Sequence, residues 1–212
     1  MSGRLSEVWV RASAGLIAAA SLLAMIPPVL HNLDSKGGLL GALWWLGRFF
    51  TILTNLAVGM AFARIAHRGR AAVSPLVLGG LVLAIMLVGL VFNLLLPGMH
   101  QGTWADFLGD KIHHVIVPLV VPLWWLAFAP HGHLTWRAPL AWALFPLAYA
   151  AYVMTRAQFE PLGAPQRYPY FFMDVDRLGW GGAIGNMAAI AAVFTLVGWL
   201  AVWLDRRLGA VR

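Results

Sequence analysis

The chain has 212 residues, of which 61% are apolar and 11% charged, and its formal net charge is +7. Soluble domains carry roughly 25% charged residues, so this composition argues against a water-soluble enzyme and against a nucleic-acid-binding protein. The chain has no cysteine, which excludes disulfides, thiol nucleophiles and thiolate metal sites.

Six apolar stretches are long enough to cross a bilayer core of about 30 Å. They predict an all-α, polytopic membrane protein with one transmembrane domain over residues 1–212. The predicted helices are 8–30, 39–64, 73–97, 108–129, 137–156 and 181–204. The first stretch runs to Ile26, beyond the signal-peptide core of about 7–15 residues, so we expect it to be retained as a helix.

Basic residues are distributed unevenly between the connections. The N-terminus, the second and fourth connections and the C-terminus together hold nine Lys or Arg residues, and the other connections hold four. Cytoplasmic loops carry the excess of positive charge, so both termini are predicted to be cytoplasmic. The Ala- and Arg-rich composition favours the inner (plasma) membrane of a bacterium.

Helix two carries the densest set of polar side chains. Trp44, Arg48, Thr51 and Asn55 recur at spacings of four, three and four, which places them on one face of a continuous helix. Thr51 is then about twelve residues, or about 18 Å, from the predicted start of the helix, near the middle of the membrane. A charged side chain inside a membrane needs a partner or a role. Bonding to a neighbouring helix is the alternative for the small polar residues.

Helix four opens with two adjacent histidines, His113 and His114. Adjacent residues point about 100° apart on a helix, so one of the two is expected to face the interior, where a neutral imidazole can act as a general base. Pro118 removes a backbone hydrogen bond and can kink the helix. Asn93 and Asn186 add amides at a similar depth, and we expect these polar groups to converge in the outer half of the bundle.

Two long connections are predicted on the outer side, at 99–111 and 158–180. Connections of this length in a compact protein are often functional. The second contains Tyr168-Pro169-Tyr170, and its aromatic side chains are expected to form part of a lid over a site on that side of the membrane.

Three motifs together resemble one known family. They are Arg-Phe-Phe-Thr-Ile-Leu-Thr-Asn at 48–55, His113 followed five residues later by Pro118, and the Tyr-Pro-Tyr to Asp-Val-Asp segment at 168–176. This order and spacing resemble the predicted six-transmembrane protein family, bacterial relatives of the androgen-induced and androgen-dependent tissue-factor-regulating membrane proteins. The resemblance covers nearly the whole chain.

The resemblance implies an intramembrane threonine hydrolase that cleaves fatty acid esters of hydroxy fatty acids or related lipid esters. It assigns the nucleophile to Thr51 and the base to His113. The chain departs from the animal pattern at Asp110-Lys111, at His114 and at Thr54-Asn55.

Ester hydrolysis by this pair requires the base and the Thr51 hydroxyl to come within about 3 Å. Asp110 is one turn from His114 and not on the face of His113, so we predict a dyad of Thr51 and His113 without an acidic member. Whether His113 or His114 faces Thr51 stays open. The expected substrate-binding residues and oxyanion donors are Arg48, Asn55, Asn93, Asn186, Trp44 and Tyr170.

The alternative is a non-catalytic lipid-binding or transport protein, in which Arg48 holds a lipid carboxylate and the Tyr-Pro-Tyr segment caps it. Haem coordination is disfavoured because the histidines other than His113 and His114 fall in or beside loops. His131 and His133 provide two metal ligands without a third, and we expect a solvated turn there. No cofactor or metal is expected. The expected partners are a fatty-acyl ester and membrane lipids, and the oligomeric state stays open.

Overall fold

The computed structural model describes residues 2–96, 103–164 and 167–210, and the regular secondary structure in these ranges is helical. Within the described residues lie six helical segments that are long and apolar enough to cross a membrane. The prediction of an all-α chain with six such segments is therefore confirmed. The chain divides into two compact units, Met1–His133 with Leu208–Arg212, and Leu134–Arg207.

The first unit holds four of the six segments. Its elements in chain order are α1 (Ser2–Leu23), α2 (Ile26–Asn32), α3 (Leu39–Leu46), α4 (Phe50–Arg68), α5 (Pro75–Leu95), α6 (Trp104–Lys111), a π-helix (Ile112–Ile116) and α7 (Val117–Phe128). The candidate spans are Ser6–Asn32, Phe50–Arg68, Pro75–Leu95 and Trp104–Phe128.

Helix one, predicted as continuous over 8–30, is divided into α1 and α2. The interruption falls at residues 24–25, directly before Pro27 and Pro28. Proline is tolerated in the first turn of a helix because its missing N–H would have no acceptor there. The two prolines therefore begin a new helix and do not continue the old one.

Helix two, predicted as continuous over 39–64, is also interrupted. α3 ends at Leu46, and α4 begins at Phe50 after Phe49, whose backbone is extended (φ −92°, ψ 126°). The predicted stripe of side chains is therefore wrong at its first member, because Trp44 is 62% exposed while Arg48 is 3% exposed. The depth estimate for Thr51 assumed an unbroken helix from Leu39, whereas Thr51 is the second residue of the candidate span Phe50–Arg68.

Helix four begins earlier than predicted. The Thr103 side chain accepts a hydrogen bond from the Asp106 backbone N–H, and the Asp106 carboxylate accepts one from the Thr103 N–H, which forms a capping box. Residues 104–107, which precede the predicted helix at 108–129, are therefore also helical. Residues 99–102 of the predicted connection at 99–111 lie outside the described residues.

Close helix packing builds the core of the first unit. α1 packs along α4, where a Cβ atom at Gly59 would lie 2.6 Å from a Leu22 methyl carbon. α5 packs on α7 in the same way, since a Cβ atom at Gly89 would lie 2.7 Å from the Pro118 Cβ atom. Small residues at such contacts let membrane helices approach closely.

The second unit contains α8 (Ala138–Ala157) and most of α9 (Val175–Ala210), in which Gly179 is non-helical at φ 68°. The prediction of helices at 137–156 and 181–204 is confirmed. Arg167 donates to both carboxylate oxygens of Asp176 at 2.7 and 2.8 Å and to the Ala157 carbonyl at 2.8 Å. The bonds to Asp176 raise the pKa of the Arg167 guanidinium. The connection between α8 and α9 is thus anchored to both helices.

Candidate functional site

The interruption before α4 places Thr51 in the first turn of that helix. In that turn the N–H groups of Ile52 and Leu53 donate to the Phe49 carbonyl at 3.1 and 3.3 Å, and the turn lies at the positive end of the helix dipole. The Thr51 carbonyl accepts a hydrogen bond of 3.0 Å from the side-chain amide of Asn55, which is fully buried. Thr51 itself is partly exposed.

The π-helix turns both histidines inward. His113 is 3% exposed, and the His114 side chain is 14% exposed. The expectation that one of the two faces the interior is therefore wrong. Its reason is the wider turn, in which the Val117 N–H donates to the carbonyl of Ile112, five residues back. Such single-turn π-helices occur often at functional sites.

The structure pairs Thr51 with His114. The His114 Nε2 atom lies 3.2 Å from the Thr51 Oγ1 atom. The other ring nitrogen, Nδ1, lies 2.8 Å from a carboxylate oxygen of Asp110 and 3.0 Å from the Asp110 carbonyl oxygen. His113 points elsewhere, since its Nε2 atom donates to the Ser21 carbonyl at 3.1 Å.

The partners of His114 define its tautomer. A backbone carbonyl oxygen can only accept a hydrogen bond, so the Nδ1 atom that meets the Asp110 carbonyl carries the hydrogen. In the neutral ring, Nε2 then holds a lone pair directed at Thr51 Oγ1, and the Thr51 hydroxyl donates to it. This is the tautomer that a general base needs in order to take a proton from a hydroxyl group.

Helix α5 contacts His114 from another side. The ring of Phe92 stacks on the imidazole at 3.7 Å between centroids and an interplanar angle of 14°. The Asn93 side-chain amide donates to the carbonyls of Gly89 at 2.7 Å and His114 at 2.9 Å. Both amide hydrogens of Asn93 are therefore engaged, and they do not serve as the oxyanion donors that the sequence predicted.

Two cations lie over one aromatic ring just before Thr51. The Arg48 guanidinium carbon is 3.8 Å from the centroid of Trp45, and the Lys36 ammonium nitrogen is 3.6 Å from the same centroid. Arg48 is 3% exposed. A positive region therefore lies three residues before the hydroxyl group that His114 contacts.

The remaining predicted site residues are Asn186 and Tyr170, which belong to the second unit. The Asn186 amide donates to the Phe172 carbonyl at 3.2 Å, and the Tyr170 ring stacks on that of Phe172 at 5.2 Å. The site that the structure brings together in the first unit thus combines Thr51 and Asn55 with His114.

Sequence reasoning did not assign a role to Asp110 or Phe92. The signal for Asp110 was present, because residues four apart lie on the same helical face. The stacking of Phe92 had no signal, because its partner is 22 positions along the chain.

Among the described residues, no group of three or more His, Asp or Glu residues could hold a metal ion. His131, expected in a solvated turn, is instead buried at 8% exposure and donates to the Leu126 carbonyl at 3.2 Å.

No protein-family model matches this chain, and neither a curated protein nor a solved structure is similar to it. The arrangement of side chains around Thr51 is therefore the basis for assigning a function.

Proposed function

We propose that this chain is an intramembrane hydrolase of lipid esters, with Thr51 as the nucleophile and His114 as the general base. The observation that carries the proposal is the 3.2 Å contact between Thr51 Oγ1 and His114 Nε2, with Asp110 on the other ring nitrogen. A hydroxyl group, an imidazole and a carboxylate in this order are the parts of covalent hydrolases on several unrelated folds. The resemblance to the six-transmembrane hydrolase family supports the same reaction, with the base one residue later than the family pattern implies.

The reaction divides into acylation and deacylation. His114 Nε2 takes the proton of the Thr51 hydroxyl as Oγ1 forms a bond to the ester carbonyl carbon. The C–O bond to the alcohol then breaks, and the departing oxygen takes that proton from Nε2. Water attacks the acyl-threonine, gives a proton to Nε2, and the carboxylic acid leaves as Oγ1 regains it. Asp110 stabilises the imidazolium in both halves.

The oxyanion that forms on the carbonyl carbon requires hydrogen-bond donors. The first turn of α4, which contains Thr51, is the positive end of the helix dipole and favours negative charge there. Arg48, three residues earlier, supplies a buried positive charge on the same segment. Asn93 does not serve as an oxyanion donor, because its amide is bonded to the carbonyls of Gly89 and His114.

The proposed substrate class is a fatty-acyl ester that carries a free carboxylate, as fatty acid esters of hydroxy fatty acids do. Arg48 and Lys36, both over Trp45, are the cations that would hold such a carboxylate. The acyl chains of the substrate would lie among the apolar side chains of the helices. The proposed location is a bacterial inner membrane with both termini in the cytoplasm.

The test is hydrolysis of a panel of long-chain esters by detergent-purified protein. We expect Thr51→Val and His114→Gln to lose at least about 10³-fold in kcat/KM, and Thr51→Ser to retain activity because it keeps the hydroxyl group. The matched control is His113→Gln, which retains a side-chain N–H for the Ser21 carbonyl and should stay active.

A fluorophosphonate probe provides a second readout. It should label Thr51 in the wild type and leave Thr51→Val unlabelled. If the folded wild type cleaves no ester and takes no label, the hydrolase proposal is wrong, and the lipid-binding protein becomes the working hypothesis.

A further inference from the structure

The carbonyl group of His114 is in an unusual position within its helix. In an α-helix this carbonyl would accept from the N–H of residue 118, but residue 118 is proline and has no N–H. A carbonyl without a donor is unfavourable inside a membrane, where no water can take the donor's place. The Asn93 side-chain amide of α5 donates to this carbonyl at 2.9 Å.

The bond is possible because α5 lies close to Pro118 and to the backbone of His114. At Gly89 the absent side chain leaves room for Pro118, and a Cβ atom there would lie 2.7 Å from the proline Cβ and 3.4 Å from the His114 carbonyl oxygen. Asn93 is one turn further along the same face of α5. The residue before it, Phe92, stacks on the His114 ring.

We infer that Phe92 and Asn93 are positioning residues that hold His114 in the orientation in which Nε2 faces Thr51. Asn93 holds the backbone of His114 at its carbonyl oxygen, and Phe92 holds the plane of the ring. Asp110 restrains rotation within that plane through Nδ1. The inference rests on the proposed function in that it assigns these residues to the histidine that acts as base.

The test compares two substitutions that remove one contact each. Asn93→Leu removes the amide and keeps a similar volume, and Phe92→Leu removes the stacked ring. We expect each to lower kcat by about 10- to 100-fold, because small misplacements of a reacting group have effects of that size. KM should stay within about two-fold of the wild type, since neither residue is placed against substrate.

Two control variants separate positioning from general damage. Phe92→Tyr keeps the stacked ring and should retain the kcat of the wild type, unlike Phe92→Leu. Asn32→Leu removes a similar amide bond, from Asn32 to the Pro28 carbonyl at 2.8 Å on α2, and should leave kcat unchanged. If Asn93→Leu fails to fold, the pair of Phe92 variants still decides the question.

Nitrogen-15 NMR of histidine-labelled protein gives a readout that needs no substrate. The wild type should show His114 as the Nδ1–H tautomer, and Asn93→Leu and Phe92→Leu should shift or broaden the His114 ring signals. Unchanged spectra together with unchanged kcat would overturn the inference. If the wild type hydrolyses no ester but the two variants still change the His114 signals, the proposed function is wrong and the positioning of the ring stands.

Discussion

The His114 Nε2 atom lies 3.2 Å from the Thr51 Oγ1 atom, although 63 positions separate the two residues along the chain. Each lies at or beside an irregular point of the backbone, Thr51 in the first turn after an interruption and His114 in a π-helix. Irregular backbone within membrane-crossing segments is found where it is buried in protein or lines a cavity. These two irregularities meet at the candidate site.

Asp110→Asn should lower kcat by about 10²- to 10³-fold, because the neutral amide no longer stabilises the imidazolium that forms on His114. The Asp110 backbone carbonyl still accepts from Nδ1, so the productive tautomer should persist and some activity should remain. Single-turnover kinetics of ester cleavage measure the effect.

The matched control for this prediction is Asp106→Asn. Asp106 lies on the same helix and accepts hydrogen bonds from Thr103, which an asparagine oxygen can also accept. Equal activity of Asp110→Asn and the wild type would leave Asp110 outside the catalytic machinery and would favour a dyad of Thr51 with a histidine.

Arg48→Met should raise KM by about 10- to 100-fold for esters that carry a free carboxylate, since a charge-assisted hydrogen bond is worth roughly 1.5–3 kcal/mol. The KM of the matching methyl ester, which lacks that charge, should change far less. Steady-state kinetics with the two substrates measure the difference.

Arg64→Met removes a positive charge near the far end of α4, where Arg64 donates to the Ala72 carbonyl, and should affect neither KM. An equal loss for both substrates in Arg48→Met would show that Arg48 does not recognise the carboxylate.

Gly89→Ala should destabilise the protein by about 1–3 kcal/mol, because the new methyl group would overlap Pro118 and the helices would have to move apart. Thermal unfolding in detergent should show a lower Tm. Gly185→Ala is the control, since a Cβ atom at Gly185 meets nothing within 4 Å. A Tm for Gly89→Ala at or above that of the control would contradict the packing of α5 on α7.

The predicted orientation can be tested by single-cysteine labelling, because the chain has no cysteine of its own. Ser35→Cys lies between the first two spans, and Ser74→Cys between the second and third. With cytoplasmic termini, a membrane-impermeant maleimide should label Ser35→Cys in intact cells and Ser74→Cys only after permeabilisation. The reverse pattern would invert the orientation, and labelling of both in intact cells would contradict a crossing by α4.

The sequence by itself determined the six helical segments that are long and apolar enough to cross a membrane, because an apolar run of about 20 residues has few other stable arrangements. It also singled out Thr51 and the histidine pair, since polar side chains inside such runs are rare. The sequence also contained a signal for a donor to the His114 carbonyl, because Pro118 lacks the N–H that residue 118 would provide in an α-helix.

The tertiary structure alone decided which histidine meets Thr51. His113 and His114 have the same side chain and are adjacent in the sequence. Helical periodicity cannot predict which of them faces Thr51, because the π-helix adds a residue to the turn that contains them. That wider turn accompanies Pro118 seated against Gly89 of another helix. The interruption before α4 could not be predicted from the sequence either, because Gly47 to Phe49 contain no proline. At this interruption Arg48 lies over Trp45 of the preceding helix. Contacts between segments, which periodicity does not record, positioned the site.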